Sequence, residues 1–303
     1  MTHGNVNEAP AYVSPTSRMP VSSLKLGRIL TWIGVALLTV AISAFILLPF
    51  YWMLKSSFQT NREILAVPPI WIPSSLNWEG YQRALTMIPF MRYLANSLLV
   101  AGVTMVVSAI LASMAGYVLA RYAFPGATII LVAILFSQLI PAITRVFPVY
   151  FLIKDLGLIN TYAGAIVAYV SFSLPYAILM LQGYFRTSYP IELEDAALID
   201  GCTWFTVFLR IVLPISIPGI VAIATFTFLG AWNDFLWSSL LLYQGQMKTL
   251  QVGLRDFIGE FGGLQRANAF MAACVMATIP ALMLFRLAQQ SMVRGISTGA
   301  VKG

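Results

Sequence analysis

Charged side chains make up only 10% of this 303-residue sequence, and histidine occurs once, at position 3. Two cysteines, Cys202 in an acidic loop and Cys274 in an apolar run, add little to that single imidazole. Together they leave no set of residues for a zinc site and argue against a structural disulfide. No lysine follows a glycine, so the G-x-x-x-x-G-K-[ST] phosphate loop is absent and the chain carries no nucleotide-hydrolysing motor of its own. A G-x-S-x-G elbow, an H-E-x-x-H helix and a paired acidic constellation are missing too, which leaves an enzyme reading nothing to stand on. The net charge of +7 comes from basic residues that flank apolar runs and form no long block, a pattern suited to lipid headgroups rather than nucleic acid.

What the chain has in abundance is apolar length. At 59% hydrophobic residues and a mean hydropathy of +0.82, it has the composition of a multispanning membrane protein. Residues 1–24 carry Pro10, Pro15 and Pro20 among small polar residues and read as a flexible tail, leaving 25–303 as one membrane domain. The first apolar run, about Ile29 to Leu54, is too long for a signal-peptide core and is expected to remain as a helix across the bilayer. Five more runs follow at about 91–119, 127–152, 162–185, 212–242 and 268–290. The expectation is therefore an all-α bundle of six transmembrane helices, with both termini on one side. With the N-terminus placed inside, the 18 Lys and Arg divide evenly between the two sides. Discounting the two long outer loops, where the positive-inside rule weakens, leaves an inside bias and cytoplasmic termini.

Against this background the stretch Ser188–Pro214, SYPIELEDAALIDGCTWFTVFLRIVLP, is an acidic island. Pro190 suits the first turn of a short helix, Glu192, Glu194 and Asp195 lie near its positive end, and Gly201 can close it in a left-handed cap. Ala197 and Gly201, four apart, stack on one face and present a smooth strip onto which another surface could close. A second short helix, from about Thr203 to Arg210, is expected before Pro214 opens the next apolar run. The spacing of Ala196-Ala197, Gly201, Ile211, Leu213 and Pro214 resembles the EAA loop of inner-membrane permeases in binding-protein-dependent ABC importers, of the carbohydrate (MalG-like) type. The likeness extends through Trp232-Asn233-Asp234-Phe235-Leu236-Trp237 and the closing Gly299-Ala300-Val301-Lys302-Gly303. It implies a MetI-like, type I importer permease fold in a bacterial or archaeal inner (plasma) membrane. It also implies a second homologous permease, two copies of an ATPase that bind ATP and magnesium, and an extracytoplasmic solute-binding protein. In that family the loop forms the helix that couples ATPase closure to the membrane. Here the family's glutamate position holds Asp195, preceded by Glu194, so which carboxylate meets the ATPase stays open.

Other polar residues in apolar surroundings are candidates for the solute pathway. Span three contains Gln138, Pro141 and Arg145, where a proline kink frees backbone carbonyls, although Arg145 can equally sit at the outer boundary. In span five Asp234 follows Pro214 by about 20 residues, or ~30 Å of helix, near the outer interface. There Asn233 and Asp234 either line a path for a hydroxyl-rich solute or belong to an interfacial belt, with Asp234 paired to a neighbouring helix. Among the aromatics of the outer loops, Trp71 and Trp78 read as interfacial anchors. The segment between spans five and six carries Gly259, Gly262 and Gly263, enough glycine for a protruding tip. By the resemblance, that tip can reach into a binding protein and the last residues lie against the ATPase. The resemblance further implies a disaccharide or short oligosaccharide of the maltose or trehalose kind, with glycerol-phosphate compounds as the alternative. An ion-driven carrier would want mid-membrane charge pairs and an inverted repeat, and neither is found.

Overall fold

A computed structural model of the chain describes the backbone of residues 21–259 and 266–300, and the side chains of 28, 31–259 and 266–291. All the regular structure among them is helical. By their contacts, residues 1–52 and 53–303 form two units. The first contains most of α1 (Val21–Ser57), so Val21 to Leu24, expected in the tail, are helical instead.

The second unit begins with the last turn of α1. There Lys55 donates to Gln59 (3.0 Å) and to the Ile70 carbonyl (2.7 Å), folding the following segment back on the helix end. Two short helices follow, α2 (Asn61–Ile64) and α3 (Glu79–Met87). A reciprocal capping box of Thr60 and Glu63 starts α2. Glu63 also accepts from the Ser74 hydroxyl and backbone N–H, which pins the irregular proline-rich stretch. Those hydrogen bonds, Ser74 first and then the Thr60 backbone, lower its carboxyl to a pKa of about 2. Trp78 packs on Phe58 and Tyr81, with ring centroids 5.0 and 5.4 Å away.

The bundle itself is built on α4 (Phe90–Arg121), α7 (Tyr162–Thr187), α10 (Leu213–Asn233) and α13 (Ala267–Ala300). Helices α4 and α7 pack along their length because the small pair Ala112 and Gly116 lets the backbones approach. A Cβ on Gly116 would come within 3.1 Å of the Gln182 nitrogen. Helix α10 packs on α4, α7 and α13. At Gly219 a Cβ would sit 2.7 Å from the Tyr184 ring.

The expected third span is not one kinked helix. Helix α5 (Ala127–Leu139) stops, a 3-10 turn (Ala142–Arg145) intervenes, and α6 (Val146–Asp155) leaves at 99°. Ile140 is extended (φ −75°, ψ 117°) because the ring of Pro141 disfavours a helical residue before it, and Pro141 has no N–H to continue the ladder. Among the described residues five helices are long and apolar enough to cross a membrane, or six where the bent pair is counted as one span.

Between α7 and α10 lie α8 (Glu192–Ile199) and α9 (Trp204–Val207). Pro214 stands in the first turn of α10, as the sequence predicts for the start of that apolar run, but no loop separates it from α9. The π-turn Phe208–Val212 joins α9 to α10, giving one continuous helix from Trp204 to Asn233. The wider turn accommodates the bond that Pro214 cannot make to Arg210. The fifth span ends sooner than expected, at Asn233, and a break precedes α11 (Leu236–Leu241). Ten residues of the next expected loop form helix α12 (Leu250–Gly259), which buries Leu250, Leu254 and Phe257 against α4 and α13. Hydrogen bonds from Asn96 Nδ2 to the carbonyls of Gln246 (3.0 Å) and Lys248 (2.8 Å) hold its approach.

Candidate functional site

The acidic island is a helix with two different sides. Its C-terminal end closes as the sequence predicts. Gly201 adopts φ +89°, and the N–H groups of Gly201 and Cys202 return to the carbonyls of Leu198 and Ala197, each at 3.0 Å. The acids divide by one step of the helix. Glu194 is 1% exposed, whereas Asp195 and Ala196 face outward with Glu192, Asp200 and Ile199.

Glu194 lies at the centre of a buried polar cluster. Its Oε2 accepts from the Tyr117 hydroxyl at 2.6 Å, and its Oε1 accepts from Tyr189 at 2.8 Å and pairs with Arg121 Nε at 2.8 Å. Arg121 donates in addition to the Tyr189 carbonyl (3.2 Å) and stacks over the Tyr189 ring, 4.4 Å from its centroid. Burial holds the Tyr189 hydroxyl above its ordinary pKa, so it stays a donor. Tyr117 and Arg121 lie on the last turns of α4, so the cluster fastens α8 to the end of a membrane-spanning helix. Sequence patterning places Glu194 at a helix terminus but gives no sign of its burial, because its partner Tyr117 is 77 residues away.

The small strip expected on Ala197 and Gly201 is only half available. Ala197 turns inward, 7% exposed, into a core with Phe185, Val207 and Phe208, while Gly201 is exposed. Ile211 and Leu213 pack on that same core and Pro214 is exposed. Of the residues that resemble the coupling motif, Asp195, Ala196, Gly201 and Pro214 therefore remain at the surface. Next to them Ile199 is 87% exposed and Phe205 64%. A protruding acidic helix with an apolar tip is a shape that another protein's groove can accept.

A second feature lies among α4, α7, α10 and the break before α6. A cavity of about 410 Å³ there is lined by, among others, Thr104, Arg145, Tyr169, Phe172, Asp234 and Trp237. Asp234 occupies the break after α10. Its Oδ1 accepts from the Tyr169 hydroxyl (2.7 Å) and from the backbone N–H groups of Trp237 (2.9 Å) and Ser238 (3.1 Å), which caps α11. Asp234 is thus bonded to a neighbouring helix and also lines the cavity. Arg145 reaches the cavity from the turn that Pro141 creates, with its guanidinium 5.3 Å from the Phe172 ring centroid. Gln138 on α5 and Asn233 at the end of α10 are exposed and outside the lining. Thr104, Tyr169 and Phe172 were missed because a threonine and two aromatics in apolar helices look like ordinary core.

At the end of the bundle away from α8, Gly259 is the last, exposed residue of α12; Gly262 and Gly263 lie outside the described residues, as do Val301 to Gly303.

The family described as the binding-protein-dependent transport system inner membrane component matches residues 108–298. Relatives over nearly the whole chain share about a third of its residues. The diacetylchitobiose uptake system permease protein DasC of Streptomyces coelicolor is 32% identical over 255 residues, covering 84% of this chain and 91% of that protein. The trehalose/maltose transport system permease protein MalG of Thermococcus litoralis is 32% identical over 280 residues, covering 92% and 98%. The trehalose transport system permease protein SugB of Mycobacterium tuberculosis is 31% identical over 268 residues, covering 88% and 97%. In fold, the chain matches the solved structure of a bacterial ABC transporter involved in the import of the acidic polysaccharide alginate, with a TM-score of 0.76 over 91% of this chain and 100% of that one, at 20% identity.

Proposed function

Since the chain belongs to the inner-membrane components of binding-protein-dependent transport systems, we propose that it is the permease subunit of an ATP-driven importer for a disaccharide or short oligosaccharide. The relatives named for diacetylchitobiose, trehalose and maltose support that solute class. In this reading the chain supplies half of the pathway, and a second, related permease supplies the other half. Two copies of an ATPase bind ATP and magnesium, and a solute-binding protein delivers sugar from outside. Both termini and α8 face the cytoplasm.

The observation that carries the reading is the two-sided α8. A coupling element must be gripped from both directions, by its motor and by the membrane helices it moves. Glu194 supplies the inner grip through Arg121 and Tyr117 of α4. Asp195, Ala196, Gly201 and the neighbouring Ile199 supply the outer face that a groove on the ATPase can close around. Side-chain direction supports a division of labour between the two acids, with Glu194 acting within the chain and Asp195 meeting the motor. When the ATPases close on ATP, α8 is displaced, and α4 and the continuous helix from Trp204 follow it. The two permeases then exchange access between outside and inside. Such a switch needs contacts that differ between its two states, and the outer face of α8 is where ATP-dependent contacts enter.

Gentle purification from native membranes, with mass spectrometry of stable partners and ATPase assays with and without maltose, trehalose and diacetylchitobiose, tests the reading. Recovery of a second permease, an ATPase and a binding protein, with hydrolysis stimulated by one of these sugars, is the expected result. Recovery of this chain alone, under conditions that keep other membrane complexes whole, would overturn it in favour of an ion-driven carrier.

A further inference from the structure

The lining of the cavity between α4, α7 and α10 carries polar atoms without partners, at a depth where such atoms are costly. Thr104 is 1% exposed, and its hydroxyl has no hydrogen-bond partner. Arg145 has a buried Nε that is likewise unpartnered, and no hydrogen bond or ion pair among the described residues engages the rest of its guanidinium. Asp234 gives Oδ1 to three donors and keeps Oδ2 free of any partner among the described residues. A buried hydroxyl or guanidinium nitrogen left unpaired costs about 1–3 kcal/mol, more for a charged group, so two such groups facing one space, beside a carboxylate oxygen with acceptor capacity to spare, call for something that fills it.

The remaining walls narrow what that is. Phe172 and Trp237 lie ring to ring at 4.5 Å and tilted by 39°, and Tyr169 joins them from α7. Aromatic faces suit the C–H faces of a sugar ring, while the guanidinium, the carboxylate and the hydroxyl together offer donors and acceptors for vicinal hydroxyls. One positive and one negative group leave the lining without net charge, which favours an uncharged solute over an acidic one. At about 410 Å³ the space falls within the ~300–1,000 Å³ of small-molecule sites and suits one or two rings.

From these observations we infer that this subunit itself holds a saccharide subsite, formed by Thr104, Arg145, Tyr169, Phe172, Asp234 and Trp237 and selective for neutral sugars. The inference rests on the importer reading above and deepens it: the chain contacts the solute as well as transmitting force. Thr104→Val is the cleanest probe. It keeps the shape of the side chain and removes a hydroxyl that has no partner among the described residues, so folding loses nothing, whereas a bound sugar loses a hydrogen bond.

The assay is equilibrium binding of radiolabelled maltose, trehalose and diacetylchitobiose, with glucuronate as the charged counterpart, to the complete permease–ATPase complex in nanodiscs without its binding protein. Uptake of the same sugars by complete proteoliposomes, with the binding protein present, is measured in parallel. The expected result is binding of at least one neutral sugar, weakened roughly two- to tenfold by Thr104→Val and roughly ten- to a hundredfold by Arg145→Met. The sugar delivered per ATP hydrolysed should fall in the same order. A purely structural role would instead lower assembly, and with it transport and hydrolysis in proportion. Normal uptake, with neither sugar binding nor delivery per ATP altered in the two variants, would overturn the subsite and leave the importer reading standing. Tighter binding of glucuronate than of any neutral sugar would overturn the neutral selectivity. Absence of uptake for every sugar would sink the solute class, and this inference with it.

Discussion

Breaking the pair between Glu194 and Arg121 tests the inner grip most directly. The carboxylate is 1% exposed and takes three donors at 2.6–2.8 Å, while the Arg121 side chain is 10% exposed. Removal of one member strands the other in a water-poor cluster, which costs about 3–5 kcal/mol, whereas removal of both avoids the stranded charge. Glu194→Ala and Arg121→Met are each expected to lower the free energy of local opening of α8 by that amount. The double variant should lose clearly less than the sum. At 1.36 kcal/mol per decade, amides of residues 192–202 in the purified complex would exchange with deuterium roughly two to nearly four orders of magnitude faster in each single variant. Protection of the middle of α4 and α10 should stay close to wild type. Unchanged exchange at α8 after Glu194→Ala would refute the reasoning, since the cluster would then hold nothing. Strict additivity in the double variant would do the same, since the two charges would not be a unit.

Two further outcomes are expected. A Cβ on Gly201 meets nothing within 4 Å, so Gly201→Ala costs only the ~1–2 kcal/mol of its positive φ, and Gly201→Asn less. Assembly should survive while sugar-stimulated ATPase activity drops, and loss of the assembled complex from the membrane would count against the assignment. Glu63 has its carboxyl lowered to about 2, so the folded state binds its proton less readily than the unfolded chain does. Its stabilisation of the Thr60–Ser74 segment is present above the ordinary carboxylate pKa and is lost as the pH falls towards 2. Limited proteolysis of that segment should increase over this range in wild type and already be high at neutral pH in Glu63→Gln.

The long helices were legible from apolar run length alone, and the cap at Gly201 from one glycine after an acidic turn. What escaped was any feature set by a partner distant in the chain. Glu194 and Asp195 are neighbours with the same charge, and only the arrival of Tyr117 and Arg121 from α4 separates an inward acid from an outward one. Pro141 announced a disturbance but not its size, because a proline in a helix gives a modest kink or a 99° turn according to what its neighbours pack against. Asp234 showed the opposite limit. Its cost in an apolar run was visible, but its use as the cap of a six-residue helix depended on a break that the unbroken hydrophobicity of residues 212–242 concealed. The cavity was half legible: its charged residues stood out, and its hydroxyl and aromatic walls did not.

The π-turn at Phe208–Val212 has a mechanical consequence. Because it joins α9 to α10, the thirty residues from Trp204 to Asn233 form one continuous helix about 45 Å long. One tip lies beside α8 and the other adjoins Asp234 at the cavity. A rod pivoting near its middle converts a tilt of ~10° into a displacement of about 4 Å at each tip, in opposite directions. On the importer reading proposed above, a push at Trp204 and a widening at Asp234 would be one movement of a seesaw, and the stiffness of the helix through Pro214 and Pro218 would set how much of the stroke arrives.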